Sequence, residues 1–160
     1  MINLDNLTVV VEKLLKEIDE DFQVIKRYAD KQRYLAEQQE VKIRDTAKKL
    51  LPVMRKIKEN GFYFTSDNTT YMTKRGPILS HDRRNDLLYV YSVDDGIPLE
   101  IDLNNDKTSM ISHDKLLKAV EFTEIMEGLL SVLSYTSSLK GKYQESIKQL
   151  EEQLTKYEEV

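Results

Sequence analysis

The two histidines of this chain stand in matching surroundings. Ile78-Leu79-Ser80-His81-Asp82-Arg83 is echoed by Met110-Ile111-Ser112-His113-Asp114-Lys115. Imidazole next to carboxylate is a donor set for a divalent metal, and the basic neighbour would suit a phosphate. The second copy has a simpler structural reading. Ser112 is a helix N-cap, Asp114 favours the positive end of the helix dipole, and Ile111 with Leu116 makes a hydrophobic staple. The first copy is then a turn of similar composition, and no metal is expected.

Asp102, Asn104 and Asp106 echo the opening of a calcium loop. The glycine required at the sixth position is Lys107, and the bidentate glutamate required at the twelfth is His113. Neither can do that work, so these residues read as hairpin turn residues. The chain also shows no phosphate loop, nucleophile elbow, Cys–His pair or helix-borne metal motif. No enzymatic activity and no cofactor are expected.

Two sets of residues suit recognition. Tyr71, Lys74, Arg75, Arg83, Arg84, Tyr89 and Tyr91 gather in the middle of the sequence, where tyrosine and arginine are the anchor types of protein interfaces. They are the expected partner-binding residues, and the expected partner is another protein. The alternative is anion binding by Lys48, Lys49, Arg55 and Lys56, within the locally basic stretch 42–58, together with the basic head turns of Lys74, Arg75, Arg83 and Arg84. That surface would take nucleic acid or a nucleotide. No aromatic residues interleave there for base stacking, and pairing with Glu121, Glu124 and Glu127 on a returning helix accounts for the charge as well.

These residues need elements to carry them. Apolar residues recur at Leu4, Leu7, Val11, Leu14, Ile18, Phe22, Ile25 and Tyr28, a stripe along one face of a helix with Asn3 or Asp5 as its cap. The stripe thins from Asp30 to Lys42. It resumes in a shifted phase at Ile43, Ala47, Leu50, Met54 and Ile57, which signals a stutter, a bend or two helices end to end. Pro52 predicts a kink near Lys48–Leu51, and Asn60-Gly61 a helix stop. Period-2 runs at 62–65, 69–74, 87–93, 97–103 and 108–111 predict about five short antiparallel strands. In the 87–93 run both faces are largely apolar, so this strand is central, with one face on the helices and the other open to a partner. A second apolar stripe runs from Leu117 to Tyr157 and becomes a regular heptad from Tyr143. Gly128 allows close approach of the other arm. Ser131–Gly141, rich in small and polar residues, reads as a bent waist or a break.

The expected fold is α+β. Two long antiparallel helical arms, coiled-coil-like and possibly broken, bracket a small antiparallel sheet. The expected organisation is an N-terminal arm at 1–60, a β-rich head at 61–111 and a C-terminal arm at 112–160, one structural unit. Single stripes on helices this long predict a homo-oligomer through the arms.

Composition narrows the class. The 160 residues carry a net charge of −4, split as +2, −3 and −3 over these three regions, without the one-sided excess of a dedicated DNA binder. There is no cysteine, which excludes disulfides and thiolate metal sites. The first twenty residues lack the basic start and apolar run of a signal peptide, and the longest apolar run, Leu87–Tyr91, is far too short to span a membrane. A cytoplasmic location is the expectation. The expected function is a non-enzymatic interaction protein: an adaptor, an inhibitor or a scaffold component. Its size and lysine-rich composition suit a phage or mobile-element product acting on a host protein.

Overall fold

The computed structural model describes residues 4–158. Asn3, one of the two expected caps, lies outside them. A 3-10 turn at Leu4–Asn6 leads into α1 (Leu7–Glu59). Six strands follow: β1 (Phe64–Ser66), β2 (Thr69–Thr73), β3 (Ile78–Asp82), β4 (Leu87–Tyr91), β5 (Pro98–Asp102) and β6 (Lys107–Met110). The chain closes with α2 (His113–Ala119), α3 (Phe122–Leu130), a 3-10 turn at Ser131–Leu133 and α4 (Tyr135–Thr155). This is an α+β fold with a long helix. No helix among the described residues is long and apolar enough to cross a membrane.

The chain divides into two compact units, one up to Val41 and the other from Lys42 onward. The boundary falls where the α1 stripe changes phase. In the first unit no α1 residue is buried, and the stripe residues Leu7, Val11, Leu14, Phe22 and Ile25 are each 43–55% exposed. In the second unit the resumed stripe is the buried one. Ile43, Ala47, Leu50, Met54 and Ile57, at 4-3-4-3 spacing, are all buried in the main core. Each large side chain among them contributes roughly 1.5–3 kcal/mol on burial. Helix α1 runs on through Pro52. It stops where the sequence says it should: Gly61 takes φ +76°, its N–H donates to Lys58 C=O at 2.9 Å, and the Phe62 N–H donates to Ile57 C=O at 3.4 Å. Those two bonds are the Schellman pair, and the left-handed φ is why glycine stands there.

The head holds two sheets rather than one. β1 and β2 form a hairpin, and β3-β4-β5-β6 form an antiparallel meander in chain order. β4 is central, as its sequence implies. Leu87, Tyr89, Tyr91 and Val93 turn to the helical core, Leu87 only partly buried. The opposite face of β4 is not an open partner surface: Leu88 and Val90 are 2% and 0% exposed, clustered with Ile78 and Ile101. β3 is the strand that the period-2 pattern misses. It carries only two apolar residues and follows Pro77, and its extended state comes from its ladder with β4, bulged between Ile78 and Ser80.

The C-terminal helical region is broken, first at Val120-Glu121 and again at Ser131–Ser134. Val120 is extended (φ −131°, ψ 137°) and buried, and its N–H still donates to Leu116 C=O, so α2 ends by turning an apolar side chain into the core. Gly128 does allow a close approach, to the sheet and not to another arm. A Cβ there would lie 2.8 Å from Ile78 O and 3.0 Å from Leu79 Cα. Helix α4 has no buried residue.

Candidate interaction surfaces

The fold gives the two histidines separate partners. His81 does not work with Asp82. Its Nε2 donates to Asp86 Oδ1 at 3.0 Å, and its Nδ1 lies 3.0 Å from Thr69 Oγ1. Because a carboxylate only accepts, the Asp86 contact places a proton on Nε2, and in the neutral imidazole Nδ1 then accepts from the Thr69 hydroxyl. Thr69 Oγ1 in turn accepts the Tyr71 N–H at 3.2 Å. Asp82 instead organises the turn after β3, accepting from the Arg84 and Asn85 N–H groups and from Asn85 Nδ2. The Asn85 bonds, chiefly that to its side chain, hold the carboxyl below its usual pKa.

His113 is buried, with Nε2 3.1 Å from Tyr91 Oη, and that hydroxyl donates to Gly96 C=O at 3.1 Å. Ser112 accepts the Lys115 N–H at 3.0 Å, as an N-cap should, and Asp114 pairs with Lys118 at 3.0 Å. Ile111 and Leu116 are both in the core. The described residues contain no group of three or more His, Asp or Glu placed to hold a metal ion. Asp102 and Asn105 accept backbone N–H groups within the β5–β6 turn, where Asp106 takes φ +59°. That is turn chemistry.

Five of the seven expected partner-binding residues stay at the surface. Tyr71 is half-exposed and meets the His81 ring edge-on at 5.2 Å. Arg83 is exposed and donates from Nη2 to Asn68 C=O at 2.9 Å. The fold therefore ties the β1–β2 hairpin to the β3–β4 turn at two points, His81 against Thr69 and Tyr71, and Arg83 on Asn68. Arg84 is exposed beside them in sequence. Lys74 belongs to a different cluster, its ammonium 4.9 Å from the centre of the Tyr63 ring, and Arg75 is exposed next to it. Tyr89 and Tyr91 are corrections. They are 5% and 4% exposed, because odd positions on β4 face the helical core, so neither ring lies on the surface of the head. Burial, with Glu100 as the second cause, pushes the Tyr89 hydroxyl up to about 12, and burial raises Tyr91 as well. Thr69 and Asp86 are the neighbours of His81 that the sequence conceals, since only the folded chain brings their side chains to its ring.

The basic stretch of α1 keeps Lys48, Lys49, Arg55 and Lys56 exposed. Lys58 pairs with Asp94 of the head at 2.5 Å, not with the glutamates of α3. Glu124 and Glu127 instead line a polar groove of about 260 Å³ with Ser66, Asn68, Ser131 and Lys142. A second, apolar groove of about 610 Å³ runs between the end of α1 and the start of α4, lined by Val53, Lys56, Phe62, Tyr135, Leu139 and Tyr143. Tyr135 anchors its wall, donating from its hydroxyl to Tyr63 C=O at 2.5 Å. Beyond it the heptad residues Tyr143, Ile147, Leu150 and Leu154 of α4, and Tyr157 just past its end, are 51–71% exposed.

Comparison with protein-family models, with curated proteins and with solved structures found no match to this chain.

Proposed function

We propose that this chain is a non-enzymatic protein-interaction module, an adaptor, inhibitor or scaffold component that meets a second protein through its head. The size and composition would suit a mobile-element product acting on a host protein. The exposure of Tyr71, Arg83 and Arg84 supports the head as the surface for a second protein, and the observation that most supports an interaction role as such is the alignment of exposed apolar side chains. In α1 up to Tyr28, and in α4 from Tyr143, they lie at helical spacing along continuous faces, where a self-sufficient monomer would scatter them. The Thr69–His81–Asp86 array fits the same reading. Its threonine hydroxyl is engaged on both sides, so it acts as a fastener that holds Tyr71 and Arg83 in place.

Partner capture from the native cell, followed by calorimetry with the purified partner, tests the reading. The Arg83→Ala, Arg84→Ala variant should remain folded and lose roughly 1–3 kcal/mol of binding. Full-strength binding by that variant would remove the head from the proposal.

The exposed lysines and arginine at 48, 49, 55 and 56 support a second reading, binding of nucleic acid along α1. A salt series with short DNA and RNA separates the two. Affinity that falls steeply with salt supports the second, and weak, salt-insensitive binding supports the first.

A further inference from the structure

We propose that the segment Leu7–Gln39 of α1 is a self-association surface, and that its occupant is the same segment of a second copy, running antiparallel about a two-fold axis near Gln23. The inference rests on the reading of the chain as an interaction module and names the surface on which its copies meet. It starts from an unpartnered stripe: Val11, Leu14 and Ile25 are 44–55% exposed, Tyr28 is 69% exposed, and no residue of this segment is buried.

The charges select the occupant and its direction. Asp19, Glu20 and Asp21 form an acidic cluster, and Lys26, Arg27 and Lys31 a basic one further along the helix, all exposed. An antiparallel pair centred near Gln23 sets each acidic cluster against the other copy's basic cluster. Written as heptads, Val11, Ile18 and Ile25 take one seam position and Leu14, Asp21, Tyr28 and Leu35 the other. Val11 then meets Leu35 of the second copy, and Ile18 meets Tyr28. On one flank Glu17 faces Lys31, twice by symmetry, and on the other Phe22 faces Phe22 and Leu15 faces Ala29.

The competing arrangements are worse. A parallel pair stacks Asp21 on Asp21 in the seam and aligns acidic cluster with acidic cluster. Sliding the antiparallel pair by one heptad in either direction puts two acidic or two basic clusters face to face on the axis. Like charges so placed oppose association.

The absence of cysteine makes the test clean. Val11→Cys and Leu35→Cys are made separately in the full chain. In the proposed dimer the two Val11 positions lie about 36 Å apart along the helix axis, as do the two Leu35 positions. Each variant alone should therefore give no disulfide dimer on mild oxidation, and their mixture should give a disulfide heterodimer. Sedimentation of the unmodified chain at tens of micromolar should give twice the 18.7 kDa monomer mass. Glu17→Lys should weaken the dimer roughly three- to tenfold, and Glu17→Lys with Lys31→Glu should restore it. A monomer at that concentration, linkage of either variant to itself, a dimer without the 11–35 linkage, or no rescue by the charge swap would each overturn the proposal. Partner binding by the head is read separately with the Arg83→Ala, Arg84→Ala variant, so failure of one reading is visible without the other.

Discussion

The Tyr91 hydroxyl lies 3.1 Å from His113 Nε2, and the two rings meet with their centroids 5.9 Å apart. One contact thus joins the central strand of the meander to the first turn of α2. The same hydroxyl donates to Gly96 C=O in the β4–β5 turn, so three segments share a single buried oxygen. A residue that looked from its type like an interface anchor is a junction of the core.

Tyr91→Phe keeps the ring and removes that oxygen. Leaving buried polar groups short of a partner costs about 1–3 kcal/mol, and the larger Tyr91→Ala change about 3–5 kcal/mol. Urea unfolding should show both losses in that order. Partner binding per folded molecule should not change with Tyr91→Phe.

Two helical glycines should respond with opposite sign. Gly128→Ala gains helix propensity but drives a Cβ into the backbone of β3, 2.8 Å from Ile78 O. Backbone cannot swing aside, so the variant should lose about 1–3 kcal/mol. Gly141, in α4, has nothing within 4 Å of a built Cβ, and Gly141→Ala should gain about 0.5–1 kcal/mol. Paired melting curves check both.

The alkaline limb of stability belongs to buried tyrosines. Burial raises Tyr89 to about 12, and it raises Tyr91 and Tyr135 as well. The folded chain holds these protons when the unfolded chain, titrating near 10, has released them. Their contribution is therefore complete below about pH 10 and is lost as pH rises toward about 12. Urea midpoints at about pH 9 and about pH 11 should differ, with the higher pH less stable. The Tyr89→Phe variant should show a smaller drop.

Thr69→Val should loosen the β1–β2 hairpin. It deletes the hydroxyl that links the Tyr71 N–H to His81 Nδ1. The expected cost is about 1 kcal/mol, local to the hairpin. Amide exchange at Tyr71 and Thr73 should quicken, with little change at Leu88–Val90.

The sequence shows where apolar spacing is regular and hides what partners impose. The buried set Ile43, Ala47, Leu50, Met54 and Ile57 was readable residue by residue, because one helix face enters one core. The stop at Asn60-Gly61 was readable because only a left-handed glycine closes that cap. The break at Val120-Glu121 was not, since Leu117, Val120 and Phe122 continue a helical stripe and no glycine or proline intervenes. Packing of Val120 overrides local preference there. Of the candidate site, the exposed arginines of the β3–β4 turn were legible as turn residues. The inward direction of Tyr89 and Tyr91 was not, because both faces of β4 are apolar and alternation alone cannot say which meets the helices.

The meander and the helical core close over very different lengths of chain. Strands β3 to β6 pair with their neighbours across turns of a few residues, whereas Met54 shares its core with Ile125, about 70 residues later. Local hairpins carry a small loop-closure cost and form early, and the long closure comes last. On a ribosome adding about 5–20 residues per second, that interval lasts roughly 4–14 seconds. For that time the nascent helix carries Ile43, Leu50, Met54 and Ile57 with no α3 to cover them, and the chain is then most exposed to chaperones and to its own copies.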